Sequence, residues 1–361
     1  MTTETRTRTR LFAVDNLRVV LTVLVVLHHV AITYSHIPAW YYFEEAKDAS
    51  GVALDILVMF NQAFFMGFFF LISGFFTPAS HDRKGGGAFV RDRLKRLGIP
   101  LLVFLLLLRP LLVAGFYPDD IPYWLFYLGS WDAGPMWFVE VLLVFAVVYT
   151  LWSKWTGGSK QAVEPRRTEL TARAIVLFAL GLAVATFLWR FLVPVGTYWI
   201  VIGLPTPSHL PQYASMFVVG VLAYRRGWFE TLPAKAGRIG LLAATGVTLV
   251  VLPLSMTTEG VLHQAFNSLW ESTFAVSIIV GLSVLFRNRY NRQGEGGRFL
   301  SEHAYTVYFI HPVVLVAVGY ALAWLHAPAI VKFVVAAAVA LPLCWGVAWL
   351  VRALPGAKRV L

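Results

Sequence analysis

The sequence predicts an all-α protein: a polytopic bundle of about ten helices integral to a membrane, with both termini cytoplasmic. Three observations predict it. Of 361 residues, 58% are hydrophobic and 14% charged, where soluble domains carry roughly 25% charge. Apolar stretches of the roughly 20 residues needed to cross a hydrocarbon core recur along the chain. Lys and Arg then gather in alternate loops, as the positive-inside bias requires of an even number of crossings.

The elements follow in order. The first apolar run, 11–33, contains Asp15, Arg18, His28 and His29, and is too long and too charged for a cleaved leader. Further spans are expected at 55–76, 97–116, 136–152, 170–190, 210–224, 238–257, 267–287, 301–324 and 329–353. The stretch 121–131 is too short to cross and reads as an interfacial aromatic segment. Residues 1–10 and 354–361 form cytoplasmic tails around one membrane domain, 11–353, and the polar stretches 153–170 and 287–298 are linkers within it. No internal repeat marks the two inverted halves of a transporter.

The net charge of +11 has a topological origin. One set of loops and tails holds Arg6, Arg8, Arg10, Arg91, Arg93, Lys95, Arg96, Lys160, Arg166, Arg167, Arg225 and Arg226. The opposite loops hold only Lys47 and Arg190, with Glu44, Glu45, Asp48, Asp119, Asp120, Asp132 and Glu259. This distribution belongs to a lipid bilayer partner and argues against nucleic acid. The single cysteine, Cys344, excludes an intramolecular disulfide and a CxxC pair. No HExxH or comparable spacing calls for a metal.

Ionisable side chains within a span are costly unless paired or hydrated, so they are functional candidates. Asp15 and Arg18 stand three apart, and His29 follows Arg18 by eleven residues, about three helical turns plus 20°. Arg18 and His29 therefore share one face, roughly 16 Å apart along the axis. Imidazole suits proton transfer near neutral pH. The plainer readings are an Asp15–Arg18 pair snorkelling at the interface and an interhelical hydrogen bond for His29. His28 points about 100° away and reads as structural. The run Arg91-Asp92-Arg93-Leu94-Lys95-Arg96 is either an anchor on anionic lipid or a phosphate-recognition site. Arg109, Glu140, Glu271 and His311 are further buried candidates, and Trp137-Phe138 reads most simply as part of an aromatic belt.

Taken together these residues resemble the acyltransferase 3 membrane proteins, within them the glucan-modifying, succinyltransferase-like branch of bacterial inner membranes. The resemblance rests on Asp15-x-x-Arg18-x10-His29 with Tyr34-Ser35, on the run Phe68 to Phe76 around Ser73-Gly74, and on Arg93-x-x-Arg96-Leu97-x-Ile99-Pro100. It continues through Met136-Trp137-Phe138, Tyr213 with Phe217 and Gly220, and Tyr305-x-x-Tyr308-x-Ile310-His311-Pro312. It implies transfer of an acyl group, acetyl or succinyl, from cytoplasmic acetyl-CoA or succinyl-CoA to a hydroxyl of an extracytoplasmic or lipid-linked glycan, without a metal. Arg18 and His29 match the family's catalytic pair, with Asp15 beside them. Arg91, Arg93, Arg96 and Ser73 are then expected to hold the CoA. Tyr34, Trp137, Glu140, Glu271 and His311 are expected to line the acceptor side. A donor from Arg18, Ser73 or Tyr34 would meet the oxyanion, and Arg190 or Lys332 would meet a succinyl carboxylate. The rival reading is a proton-coupled transporter or flippase that uses the Asp15/Arg18/His29 stripe as its pathway.

Overall fold

A computed structural model describes residues 11–157, 168–199 and 203–361. The tail 1–10 and the linker residues Lys160, Arg166 and Arg167 lie outside the described residues. The architecture is the all-α membrane bundle that the sequence predicts. In chain order the long helices are α1 Phe12–Thr33, α2 Gly51–Lys84, α3 Gly86–Phe116, α4 Trp137–Trp155 and α5 Ala172–Leu192. They continue with α6 Leu210–Arg226, α7 Ala234–Thr257, α8 Gly260–Arg289, α9 Glu295–Ala321 and α10 Ala329–Ala353. The interfacial segment contains a two-turn helix, Tyr123–Gly129.

Among the described residues, nine helices are long and apolar enough to cross a membrane by themselves, one fewer than expected. The difference is the 210–224 span. Its helix, α6, has 17 residues and carries Gln212, Arg225 and Arg226. At about 1.5 Å per residue it falls short of a hydrocarbon core of roughly 30 Å. Its neighbours satisfy it instead. Gln212 donates to the Ala63 carbonyl of α2 at 2.7 Å, and Arg225 donates to both oxygens of Asp82 and to the Tyr149 hydroxyl. The two backbones can approach because Gly74 and Gly220 face them: a Cβ at Gly74 would lie 2.1 Å from the Phe217 carbonyl oxygen, and one at Gly220 would lie 2.0 Å from that of Leu71.

Helix α1 packs against α2, α8, α9 and α10, so its polar side chains face protein on several sides. Its start is clamped where Asn16 donates to the Tyr290 and Arg292 carbonyls and Gln293 donates back to Asn16. The spans at 267–287 and 301–324 begin earlier than expected, at Gly260 and Glu295. Their first turns are too polar to be legible in a hydropathy window.

Helix α3 shows how prolines shape the bundle. Hydrogen-bond spacing widens to i→i+5 over Leu94–Gly98 and again over Phe104–Leu108, beside Pro100 and ahead of Pro110. Proline has no N–H, so Pro100 leaves the Arg96 carbonyl without its helical donor. The Tyr305 hydroxyl of α9 donates to that carbonyl at 2.9 Å. Near Pro110, the Tyr127 hydroxyl donates to Leu105 O and that of Tyr123 to Pro110 O. Two of the motifs read separately in the sequence, around Arg96-x-x-x-Pro100 and Tyr305, are therefore halves of one contact.

Candidate active site

The His29 imidazole lies in the C-terminal half of α1, about 26 Å from Phe12 along the axis. Its Nδ1 is 2.8 Å from the Val25 carbonyl oxygen. A carbonyl only accepts, so Nδ1 carries the proton and Nε2 keeps a lone pair. The ring is packed by Trp40 at 4.1 Å between centroids, by His311 of α9 at 5.0 Å and edge-on by His28 at 5.3 Å.

His311 is set up in the same way by its own helix. Pro312 lacks an N–H, which leaves the Tyr308 carbonyl, four residues earlier, without a donor. His311 Nδ1 lies 2.6 Å from that carbonyl and donates to it. Its Nε2 is buried and has no hydrogen-bond partner among the described residues. Trp40 stacks on His311 and packs at a tilt on His29, and so caps both rings from the loop 34–50.

Two further loops hold this frame. The Tyr308 hydroxyl donates to the Pro135 carbonyl, which ties α9 to the turn ahead of α4. Asp132 in that turn accepts from Arg109 of α3 at 2.7 Å, from the Gly134 N–H at 2.6 Å and from the Tyr41 hydroxyl at 3.5 Å. Arg109 is fully buried and also donates to the Ser130 carbonyl. The Tyr41 phenol, outside the spans, is held protonated by burial and by the Asp132 charge beside it. Glu140 lies within electrostatic reach of Asp132, Tyr198 and Tyr308.

The chain belongs to the acyltransferase 3 family. The family's acyltransferase domain matches residues 11–349, nearly the whole chain. No curated protein matches, and no solved structure does. The protein is thus a membrane acyltransferase, and the remaining candidates can be placed around its His29.

Arg18 pairs with Asp15 at 3.6 Å on α1, and the eleven residues to His29 keep it about 16 Å away along the axis. Ser73 is farther from His29 than expected. Asn61 of α2 reaches the Leu24 carbonyl at 3.0 Å, while Ile72 and Phe75 share an apolar cavity with Val14 and Leu17. Ser73 is therefore level with the start of α1. Tyr34 is buried at the end of α1 and lines a cleft of about 230 Å³ with Glu44, Asp48 and Lys332. Burial, with Tyr42 and Glu44 nearby, raises its phenol pKa. Ser73 and Tyr34 neither hydrogen-bond nor stack with the His29 ring.

Trp137 corrects the aromatic-belt reading. It is buried in the bundle, 5.3 Å from the Tyr213 ring and 6.2 Å from Phe70. Tyr213 stacks in turn on His209, whose Nε2 is 3.7 Å from Glu271. Glu271 accepts from the buried Arg190, which also reaches Ser268 Oγ at 3.3 Å. Trp137 and Glu271 thus belong to a second polar cluster, whereas His311 belongs to the first. At the Arg-rich end of the bundle Arg91 and Arg96 are exposed, Arg96 lies 3.5 Å from Asp92, and Arg93 covers the Phe89 ring. Lys84 takes the other oxygen of Asp92 at 2.7 Å.

Sequence reasoning missed Trp40, Tyr41 and Asp132 as site-forming residues. The signal for His311 was available: a histidine immediately before proline can take the carbonyl that the proline abandons.

Proposed function

We propose that this acyltransferase moves an acyl group from acyl-CoA to a hydroxyl of an extracytoplasmic or lipid-linked glycan, with His29 as general base. The observation that carries the reading is the tautomer: the Val25 carbonyl fixes the proton on Nδ1 and leaves Nε2 able to accept another. The acceptor oxygen bonds to the thioester carbonyl carbon as its proton passes to Nε2. The carbon–sulfur bond then breaks, and the CoA sulfur takes the proton back from the imidazolium. Such a base contributes about 10²–10⁴-fold. Arg91, Arg93 and Arg96 suit the CoA phosphates at the inner end, where guanidinium forks match phosphate geometry. Arg18, Asp15 and Ser73 lie between that end and His29, along the course of the pantetheine arm. The membrane is that of a bacterial cell, the inner one, with the Arg-rich end in the cytoplasm.

Between the two acyl groups the geometry favours acetyl. A succinyl carboxylate needs an uncommitted cation near the transfer site. Arg190 is already paired with Glu271, and Lys332 with Glu44.

The test is free-thiol release by the purified protein in liposomes, supplied with acetyl-CoA or succinyl-CoA, with and without a glucan oligosaccharide. Acceptor-dependent release of CoA from acetyl-CoA is expected. Glycan translocation with no CoA release would instead establish the transporter reading.

A further inference from the structure

We propose that the groove between the inner ends of α7 and α8 binds the headgroup of an anionic phospholipid. The groove encloses about 520 Å³ and is lined by Lys235, Gly237, Arg238, Gly281, Asn288 and Arg289, among others. Its shape follows from the glycines. A Cβ at Gly240 would lie 2.7 Å from the Ser277 carbonyl oxygen, and one at Gly281 would lie 2.6 Å from the Leu241 side chain, so the helices are pressed together at that level. The groove lies alongside that contact, toward Ala234 and Arg289, as a wedge at the Arg-rich end of the bundle.

The charge in this wedge is of one sign. Lys235, Arg238 and Arg289 contribute three cations, and no carboxylate lines the groove. None of the three makes an ion pair among the described residues. Arg287, on the same helix end, is committed elsewhere: it donates to the Phe229 and Glu230 carbonyls. The start of α7 and the end of α8 meet here, so their dipoles oppose and the side chains set the field. Three unpaired like charges repel one another until an anion enters between them.

The surroundings select a lipid as the source of that anion. Helix α7 is the least enclosed of the nine apolar helices, with 17% of its best apolar window buried. Ile239, Leu242 and Leu249 are exposed along it. A phosphodiester among the three cations would lay its acyl chains down this apolar face, whereas a soluble phosphate would leave the face unused. Basic pockets between membrane helices at the cytoplasmic surface recognise anionic lipids in this way.

The test uses the full-length protein in detergent, titrated with phosphatidylglycerol, phosphatidylcholine or adenosine 3′,5′-bisphosphate, with bound ligand counted by native mass spectrometry. Phosphatidylglycerol is expected to bind at least tenfold tighter than phosphatidylcholine. Each cation contributes about fivefold, so R238Q/R289Q weakens phosphatidylglycerol roughly 25-fold. R238K/R289K keeps the charge and should keep most of the binding, which separates lost charge from lost fold. Equal binding of the two lipids, or unchanged phosphatidylglycerol binding by R238Q/R289Q at native melting temperature, overturns the proposal. Displacement of phosphatidylglycerol by the bisphosphate overturns it too, because the groove would then belong to a soluble nucleotide.

Discussion

His29 and His311 stand on two different helices with ring centroids 5.0 Å apart, and each has its Nδ1 tied to a carbonyl of its own helix. The two ties differ in origin. His29 shares a carbonyl that already serves the helix, whereas His311 takes one that Pro312 leaves without a donor. Both rings consequently keep Nε2 as an acceptor, and Trp40 packs against both.

That difference separates the structural from the chemical role of His311. In H311L the Tyr308 carbonyl is buried without a donor, at a cost of about 1–3 kcal/mol. Adding P312A restores a backbone N–H at position 312. The double variant should recover the melting temperature of the wild type yet transfer acyl groups at least tenfold more slowly. Full recovery of activity together with stability would reduce His311 to a structural plug.

The same logic applies to the α3–α9 contact. Y305F leaves the Arg96 carbonyl without the hydroxyl that satisfies it, and should lower stability by roughly 1–2 kcal/mol. In a P100A background the restored N–H makes Y305F nearly silent. Chemical denaturation of the four variants checks this, and additive losses would contradict it.

The Arg109–Asp132 pair should respond asymmetrically. D132N leaves a fully buried guanidinium without its counter-charge and costs about 3–5 kcal/mol. R109M leaves a carboxylate that still meets solvent, with 28% of its side chain exposed, and should cost less. Comparison of the two melting temperatures decides the order. Because Asp132 also holds Tyr41 and Gly134, both variants should slow transfer.

At the inner end, R91A/R96A removes two exposed cations from the expected CoA phosphate site. KM for acyl-CoA should rise about tenfold with kcat kept, and the effect should shrink at high salt. A fall in kcat at unchanged KM would move these arginines out of the CoA site.

Much of the bundle was legible because hydropathy records lipid exposure directly: the last span, 329–353, matches α10 residue for residue. Helix α6 is the span that hydropathy supports least, because its polar residues are satisfied by α2 and α4, which only the packing reveals. The Arg18–His29 register was legible as pure helix geometry, and so was the Asp15–Arg18 pair. The partners of His29 were not. Trp40 sits in a loop rich in aromatics that looks like any membrane interface, and its position over the two rings depends on how the loop 34–50 folds back. Trp137 read as a belt residue for the same reason, since an aromatic at a helix end faces lipid or protein with no difference in sequence.

The central claim is that Nε2 of His29 takes the acceptor's proton. The most direct test is the single-turnover rate of acyl transfer by H29Q, which keeps a side chain of similar length and cannot accept that proton, measured once its melting temperature is shown to match the wild type. A loss of about 10²–10⁴-fold with acyl-CoA affinity unchanged is the predicted result. Transfer at the wild-type rate by the folded variant would contradict it.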